Sequence, residues 1–177
     1  MSRISILLLF ITLSLSGFSQ SINTIVRDSV RNRSVMVDFI DRQGLQTGEF
    51  AESYASEYPA YLPEVGILEE LKKAMVDIQI VVIMATWCGD SKEQIPRFLK
   101  VLDQVGVSDD RCSMIGVDSQ KLARDLDVTV YGVTRVPTFI IYKHEIEIGR
   151  IIETPKTTLE KDLLEICRRP AKAQHEF

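Results

Sequence analysis

A short apolar run over residues 80–84 ends directly at a segment that contains a cysteine. The run reads Ile-Val-Val-Ile-Met, which has the length and β-branched content of a strand buried on both faces. Beyond the segment, apolar residues recur with helical spacing from Ile95 to Val105. Cys88 therefore lies where a buried strand ends and a helix begins, an arrangement typical of an α/β protein.

This position has a chemical consequence for Cys88. The start of a helix presents unpaired backbone N–H groups and the positive end of the helix dipole, and both favour the thiolate. The adjacent carboxylate of Asp90 disfavours the thiolate, whereas Lys92 favours it, so the sign of the sum stays open. The hydroxyl of Ser91 is expected to donate a hydrogen bond to the thiolate. Cys88 is thus the candidate nucleophile.

Two motifs resemble the thioredoxin family. Residues 87–92 read Trp-Cys-Gly-Asp-Ser-Lys and are followed by Pro96, which resembles the thioredoxin segment Trp-Cys-Gly-Pro-Cys-Lys with its helix proline. Residues 131–138 read Tyr-Gly-Val-Thr-Arg-Val-Pro-Thr, similar to Tyr-Gly-Ile-x-x-Ile-Pro-Thr of that family. The resemblance covers residues 64–169. It implies a thioredoxin-like α/β fold, with a central mixed sheet flanked by helices and an N-terminal helical extension.

The resemblance also implies roles for individual residues. Cys88 and Ser91 are the expected catalytic pair, and Pro137 is expected to be cis and to lie against the cysteine. In the family, the backbone of the residue at position 136 pairs with an extended substrate segment. The residues expected to bind substrate are Trp87, Gly89, Asp90, Val136 and Pro137.

The chain departs from the thioredoxin pattern at two positions. Ser91 stands where thioredoxins have the second, resolving cysteine, and Val82 stands where they commonly have a buried aspartate. A dithiol cycle within this loop is therefore impossible. The closest pattern is that of bacterial exported thioredoxin-family proteins with Trp-Cys-Gly-Asp-Ser. No cofactor is expected, and because His144 and His175 are isolated, neither a metal site nor a Cys–His pair is expected.

The other two cysteines are expected to be structural. Cys112 lies in a predicted strand and Cys167 in the predicted C-terminal helix. Buried, inert thiols are the favoured interpretation, and a disulfide between the two is the alternative. Neither is expected to resolve a mixed disulfide at Cys88.

Both ends of the chain are predicted to lie outside the domain. Residues 1–19 contain one charge, an apolar stretch and small residues at the positions that a signal peptidase recognises, which predicts a cleaved secretory signal; an uncleaved anchor helix is the alternative. The expected organisation is an extension over 20–63 that packs on the core, a thioredoxin-like domain over 64–170 and a frayed tail over 171–177. The protein is expected to be exported, and the resemblance implies that its compartment is a bacterial periplasm.

The N-terminal region is predicted mainly as helices. Residues 21–41 suggest a helix followed by a strand or a second helix. Aromatic residues at near-helical spacing between 50 and 61 predict a helix packed on the core, with an aromatic platform beside the active site as the alternative. A short helix is also predicted over 120–125.

Three functions follow from these patterns. The first is an exported thiol–disulfide oxidoreductase that works through one cysteine, of isomerase or deglutathionylation type. Its expected partners are proteins or small molecules that contain thiols or disulfides. The alternative is a non-catalytic peptide-binding or chaperone-like module, and a peroxidase is a weaker third. The net charge of −4 argues against nucleic acid or an anionic membrane as a partner.

Overall fold

The computed structural model of this protein describes residues 21–170. The predicted signal segment over 1–19 and the predicted tail over 171–177 lie outside the described residues. Within residues 21–170, no helix has both the length and the apolar character needed to cross a membrane.

A six-stranded mixed sheet forms the centre of the molecule. Its strands are β1 (Thr24–Asp28), β2 (Arg33–Ile40), β3 (Ile78–Met84), β4 (Cys112–Gly116), β5 (Thr138–Lys143) and β6 (Ile146–Ile152). They lie in the order β1-β2-β4-β3-β5-β6. The central pair β3 and β4 is parallel, and the other neighbours are antiparallel.

Five α-helices accompany the sheet in the described part of the chain, together with three short 3-10 helices at Gly48–Phe50, Asp109–Arg111 and Thr129–Tyr131. The α-helices are α1 (Arg42–Leu45), α2 (Ala51–Ala60), α3 (Val65–Ala74), α4 (Gly89–Val105) and α5 (Leu159–Cys167). The longest, α4, packs against α2, α3 and α5. It ends at Gly106, whose left-handed backbone (φ 76°) lets its N–H bond back to the last turn. The predicted α/β fold, a mixed sheet flanked by helices, is confirmed.

The two faces of the sheet differ in what covers them. Alternating residues of β3 point in opposite directions, so that Ile80 and Val82 join one buried cluster and Ile83 joins another. The first cluster also contains the apolar sides of α3, α4 and α5. The second lies against Trp87, Cys88 and the segment that leads to Pro137. One face therefore supplies most of the core, and the other supports the active-site segment.

The structure corrects the prediction for residues 21–41. This stretch is a β-hairpin, β1 and β2, and the predicted helix is wrong. The carboxylate of Asp28 accepts hydrogen bonds from the N–H groups of Val30 and Arg31, which builds the turn. Strand β2 then pairs with β4, so residues of the extension belong to the central sheet. The helical part of the extension begins only at Arg42.

The predicted helix over 120–125 is also wrong. The Asp118 carboxylate accepts hydrogen bonds from the backbone of Gln120 and Leu122, and the Asp38 carboxylate accepts from Arg124 and Asp125. The Asp38 carboxylate therefore occupies the Arg124 and Asp125 N–H groups, which a helix over 120–125 would bond internally, and the segment folds as successive turns and bends instead.

The aromatic residues of the extension pack on the core. Phe50 is fully buried, while Tyr54, Tyr58 and Tyr61 lie partly buried against the main cluster. Tyr58 and Tyr61 also donate hydrogen bonds to the carboxylates of Asp103 and Glu160. These aromatic side chains attach α2 to the domain, which agrees with the favoured interpretation of a helix packed on the core.

Candidate active site

Cys88 is the residue at which the central strand passes into the longest helix. It follows β3 by three residues and is the N-cap of α4, with an extended backbone (φ −85°, ψ 129°). Its N–H donates to the carbonyl of Ala85 at 3.0 Å, which closes a tight turn before the helix. The side chain is half-buried. The sulfur therefore lies at the start of the helix and is partly open to solvent.

The carbonyl of Val136 meets the sulfur from the other side. The Cys88 thiol donates a hydrogen bond to it across 3.1 Å, although the two residues are 48 positions apart. The Val136–Pro137 peptide bond is cis. The Pro137 carbonyl is turned elsewhere and accepts a hydrogen bond from the N–H of Glu153 at 2.7 Å. The structure therefore brings together Cys88 and Val136, which the two sequence motifs had each placed in the site.

Ser91 lies one turn into α4 and is completely buried. Its Oγ accepts a hydrogen bond from the N–H of Ala85 at 3.3 Å, and so it ties the helix to the end of β3. Within the described residues no hydrogen bond joins Ser91 Oγ to Cys88 Sγ. Donation from Ser91 to the thiolate stays a prediction.

Two contacts that were not predicted from the sequence hold the Trp87 side chain in place. Its indole N–H donates to the carbonyl of Val117 at 3.3 Å, beyond the end of β4. The guanidinium of Arg31, at the tip of the β1–β2 hairpin, lies 3.9 Å from the centre of the indole ring. The hairpin of the extension thus forms part of the wall beside Cys88.

The extension also contacts the site through charged groups. Lys92 in the first turns of α4 lies 3.6 Å from the carboxylate of Glu49, which forms a second ion pair with Arg33 at 2.9 Å. A cavity of about 290 Å³ opens here, lined by these Arg33 and Glu49 side chains together with Thr86. Of the remaining predicted residues, Gly89 is exposed and Asp90 is half-buried at the start of the helix.

The two other cysteines cannot take the place of Cys88. Both Cys112 and Cys167 are buried and unpaired, and burial raises the pKa of each thiol to about 12. They are therefore protonated and shielded at neutral pH. The disulfide alternative does not occur in the structure, since Cys167 instead contacts the sulfur of Met75 at 3.6 Å.

The part of the chain spanning residues 21–170 holds no cluster of three His, Cys, Asp or Glu side chains suited to a metal ion. The groups that the site offers for chemistry are one half-buried sulfur, one buried hydroxyl and a backbone carbonyl.

A family model described as Thioredoxin matches residues 68–165. The chain belongs to the thioredoxin family. The match begins inside α3 and ends inside α5, and it includes Cys88 and the Val136–Pro137 bond. The hairpin that carries Arg31 lies outside it.

Solved structures with a similar fold are distant from this chain. One is a protein of unknown function from Pseudomonas aeruginosa, at 14% identity and a TM-score of 0.46, covering 68% of this chain and 80% of that one. Another is the oxidized form of mitochondrial thioredoxin 3 from Saccharomyces cerevisiae, at 26% identity and a TM-score of 0.37, covering 64% and 98%. A comparison with curated proteins gave no match.

Sequence reasoning missed Arg31 as a neighbour of the active-site segment. A signal was present, because stretches rich in β-branched and apolar residues lie on both sides of Asp-Ser-Val-Arg-Asn, whose Asp, Ser and Asn are residues that favour turns. Even so, the hairpin alone does not predict which residue of the domain its tip would contact.

Proposed function

We propose that this member of the thioredoxin family catalyses thiol–disulfide exchange through a single cysteine, Cys88. The observation that carries the proposal is the half-buried Cys88 sulfur at the N-cap of α4, 3.1 Å from the Val136 carbonyl, in a chain whose two other thiols are buried.

The reaction has two steps. The Cys88 thiolate attacks one sulfur of a substrate disulfide; a Cys88–substrate disulfide forms, and the other substrate sulfur leaves as a thiolate. A second thiol, from the substrate or from a small molecule, then attacks this mixed disulfide and releases Cys88. When the resolving thiol belongs to the substrate, one substrate disulfide is consumed and another is made, and no external oxidant or reductant is needed. When it belongs to a small molecule, that thiol is the reductant: it supplies the two electrons and leaves in the new disulfide, while the protein substrate is released as a thiol. This balance suits disulfide isomerisation or removal of a small thiol from a protein.

The protein supplies the surroundings of this sulfur. The Val136 carbonyl accepts the thiol hydrogen in the resting state, and it becomes available to a substrate N–H once the thiol has lost its proton. Trp87 gives an apolar surface next to the sulfur. Ser91 holds the first turn of the helix against β3 and contributes no second thiol.

The test is to trap and then resolve the mixed disulfide. Reduced protein is treated with glutathione disulfide, and adducts are located by mass spectrometry of the peptides. We expect one adduct, at Cys88, and none in Cys88→Ser. Addition of a free thiol should release it, and wild type should then catalyse deglutathionylation of a model protein. Cys112→Ala is the matched control and should behave as wild type.

Three results would contradict the proposal. An adduct at Cys112 or Cys167, or turnover that survives in Cys88→Ser, would assign the chemistry elsewhere. A Cys88 adduct that forms but is not released faster than in a denatured control would favour the non-catalytic binding module.

Export belongs to the same proposal. It is supported by the charge and apolar pattern of residues 1–19. Expression in a bacterium with two membranes, followed by fractionation and N-terminal sequencing of the product, tests it. We expect a periplasmic protein that begins at Gln20; a cytoplasmic product that retains Arg3 would contradict it.

A further inference from the structure

The guanidinium of Arg31 occupies an unusual place beside the active-site segment. It stacks over the Trp87 ring at 3.9 Å, and Arg31 is exposed. Its side chain forms no hydrogen bond or ion pair with the described residues 21–170. A stacked guanidinium keeps its N–H edge directed away from the ring, and that edge is the part that binds a carboxylate in a fork.

The position of Arg31 is built by the hairpin turn. One oxygen of the Asp28 carboxylate accepts from the N–H groups of Val30 and Arg31, at 2.9 and 3.1 Å. Its other oxygen accepts from the N–H and the hydroxyl of Ser119, at 2.8 and 2.5 Å. The turn is therefore fastened to the segment that follows β4, which also holds the Trp87 indole through Val117.

The charged groups around Cys88 are not equivalent to Arg31. Lys92 is 3.6 Å from Glu49, and Arg135, on the side of Val136, is 2.7 Å from Glu153. Asp90 places a negative charge in the first turn of α4. Among these groups, Arg31 is the cation that is both next to Trp87 and not neutralised by a carboxylate of the described chain.

We propose that Arg31 is a specificity-determining residue, which directs Cys88 toward disulfides that carry a carboxylate close to the attacked sulfur. The inference rests on the proposed exchange at Cys88. A substrate that lies on the Trp87 face would place such a carboxylate within reach of the Arg31 N–H edge while its sulfur approaches Cys88. Small acidic disulfides and acidic peptide disulfides both have this chemistry.

The experiment compares second-order rate constants of Cys88 with disulfides of different charge. The probes are 5,5′-dithiobis(2-nitrobenzoate), which is anionic, 4,4′-dithiodipyridine, which is neutral, and cystamine, which is cationic. The variants are Arg31→Ala, Arg31→Lys and, as the matched control, Arg27→Ala. Arg27 lies on the same hairpin and its removal changes the charge equally, but it contacts Asn32 and not Trp87.

We expect Arg31→Ala to lower the anionic-to-neutral rate ratio about threefold, the size of one charge acting through water over a few ångströms. The cationic-to-neutral ratio should rise. Arg31→Lys should recover part of the anionic preference, since it restores charge but not the planar fork. High salt should reduce the wild-type preference toward that of Arg31→Ala.

Asp28→Asn is a second variant that keeps the Arg31 charge and weakens its anchor. It should lose part of the anionic preference. Two cystine-bridged peptides of equal length are also compared, one with acidic residues and one with amide residues beside the cysteine. The size of the Arg31→Ala effect on the ratio of their rate constants distinguishes peptide from small-molecule substrates.

Equal loss of anionic preference in Arg31→Ala and Arg27→Ala would overturn the inference, because it would show a general field effect of the hairpin. An unchanged ratio in Arg31→Ala would also overturn it. If Cys88 in folded wild type reacts with none of the probes faster than a denatured control, the proposed exchange fails instead of the specificity.

Discussion

The active-site segment and the N-terminal hairpin lie side by side in the structure but are encoded in different ways. The segment from β3 to the end of α4 is one continuous stretch of the chain. It is held together by contacts between residues close in sequence, such as the hydrogen bond from the Ala85 N–H to Ser91 Oγ. The hairpin is distant in sequence and contacts the same site in two places. The Arg31 guanidinium stacks on the Trp87 ring, and the Asp28 carboxylate accepts a hydrogen bond from the Ser119 N–H. The first region supplies the Cys88 sulfur, and the second forms part of the surface beside it.

The comparison also shows how a departure from the family pattern is accommodated. Ser91 keeps the packing role of a small side chain under the helix start and loses the second thiol. The hairpin adds a cation at the site from outside the part of the chain that matches the thioredoxin family model. On the two proposals, chemistry and selectivity come from separate parts of the chain, and we expect that each can be changed without the other.

Restoring the second thiol is expected to have the largest effect. In Ser91→Cys the new sulfur lies in the first turn of α4, three residues after Cys88, so the mixed disulfide can be resolved internally. Reduction of a model disulfide in the presence of dithiothreitol should increase at least about tenfold over wild type. Ser91→Ala is the control and should give no increase. If Ser91→Cys reduces the substrate no faster than Ser91→Ala, the loop geometry inferred from the family is wrong.

Matched valine substitutions compare the stability of the two regions. Val37 in β2 and Val101 in α4 are both fully buried. Val37→Ala should lower the free energy of unfolding by about 3 kcal/mol and Val101→Ala by about 2 kcal/mol. Both lose buried methyl groups, but alanine favours a helix and disfavours a strand.

Urea denaturation followed by circular dichroism measures this difference. A loss below about 0.5 kcal/mol for Val37→Ala would show that the hairpin unfolds independently of the domain. A single shared transition for both variants would show that the extension and the thioredoxin-like part form one cooperative unit.

The anchor of the hairpin turn should respond to acid. Hydrogen bonding, chiefly from the Ser119 hydroxyl, lowers the pKa of Asp28 to about 2 from its ordinary value of 3.8. The folded state thus favours the ionised carboxylate, and this contribution is complete above about pH 4 and is lost as the pH falls through 2.

Trp87 is the single tryptophan of the chain, so its fluorescence reports on Arg31 directly. Between pH 4 and 2 wild type should show a change that Asp28→Asn lacks, because the asparagine variant has no carboxylate to protonate. The same transition in both proteins would mean that acid acts elsewhere.

The ion pair between the extension and the active-site helix should have the smallest effect. Lys92 and Glu49 are 3.6 Å apart and each is about one quarter exposed, so their coupling energy should be about 0.5 kcal/mol or less. A double-mutant cycle with Lys92→Met and Glu49→Gln measures it. A coupling above about 1.5 kcal/mol would instead make this pair a clamp between the two regions.

The sequence predicted the thioredoxin-like core for local reasons. The apolar run of β3, the helical spacing of α4 and the Trp-Cys-Gly motif each occupy a short stretch and do not depend on the rest of the chain. The errors fell where side chains reroute the backbone. Asp28 builds the turn of the hairpin over residues 24–40, while Asp38 accepts from the Arg124 and Asp125 N–H groups that a helix over 120–125 would bond internally. Such carboxylates look like ordinary surface residues until their partners are known.

The amino-acid sequence by itself determined that a cysteine lies between a buried strand and the helix that follows it, because periodicity and the start of a helix are local properties. Only the tertiary structure decided what surrounds the sulfur of that cysteine. The contacts of Cys88 with Val136 and of Trp87 with Arg31 join residues about fifty positions apart. They depend on the order of the strands in the sheet, which the packing of the whole core selects.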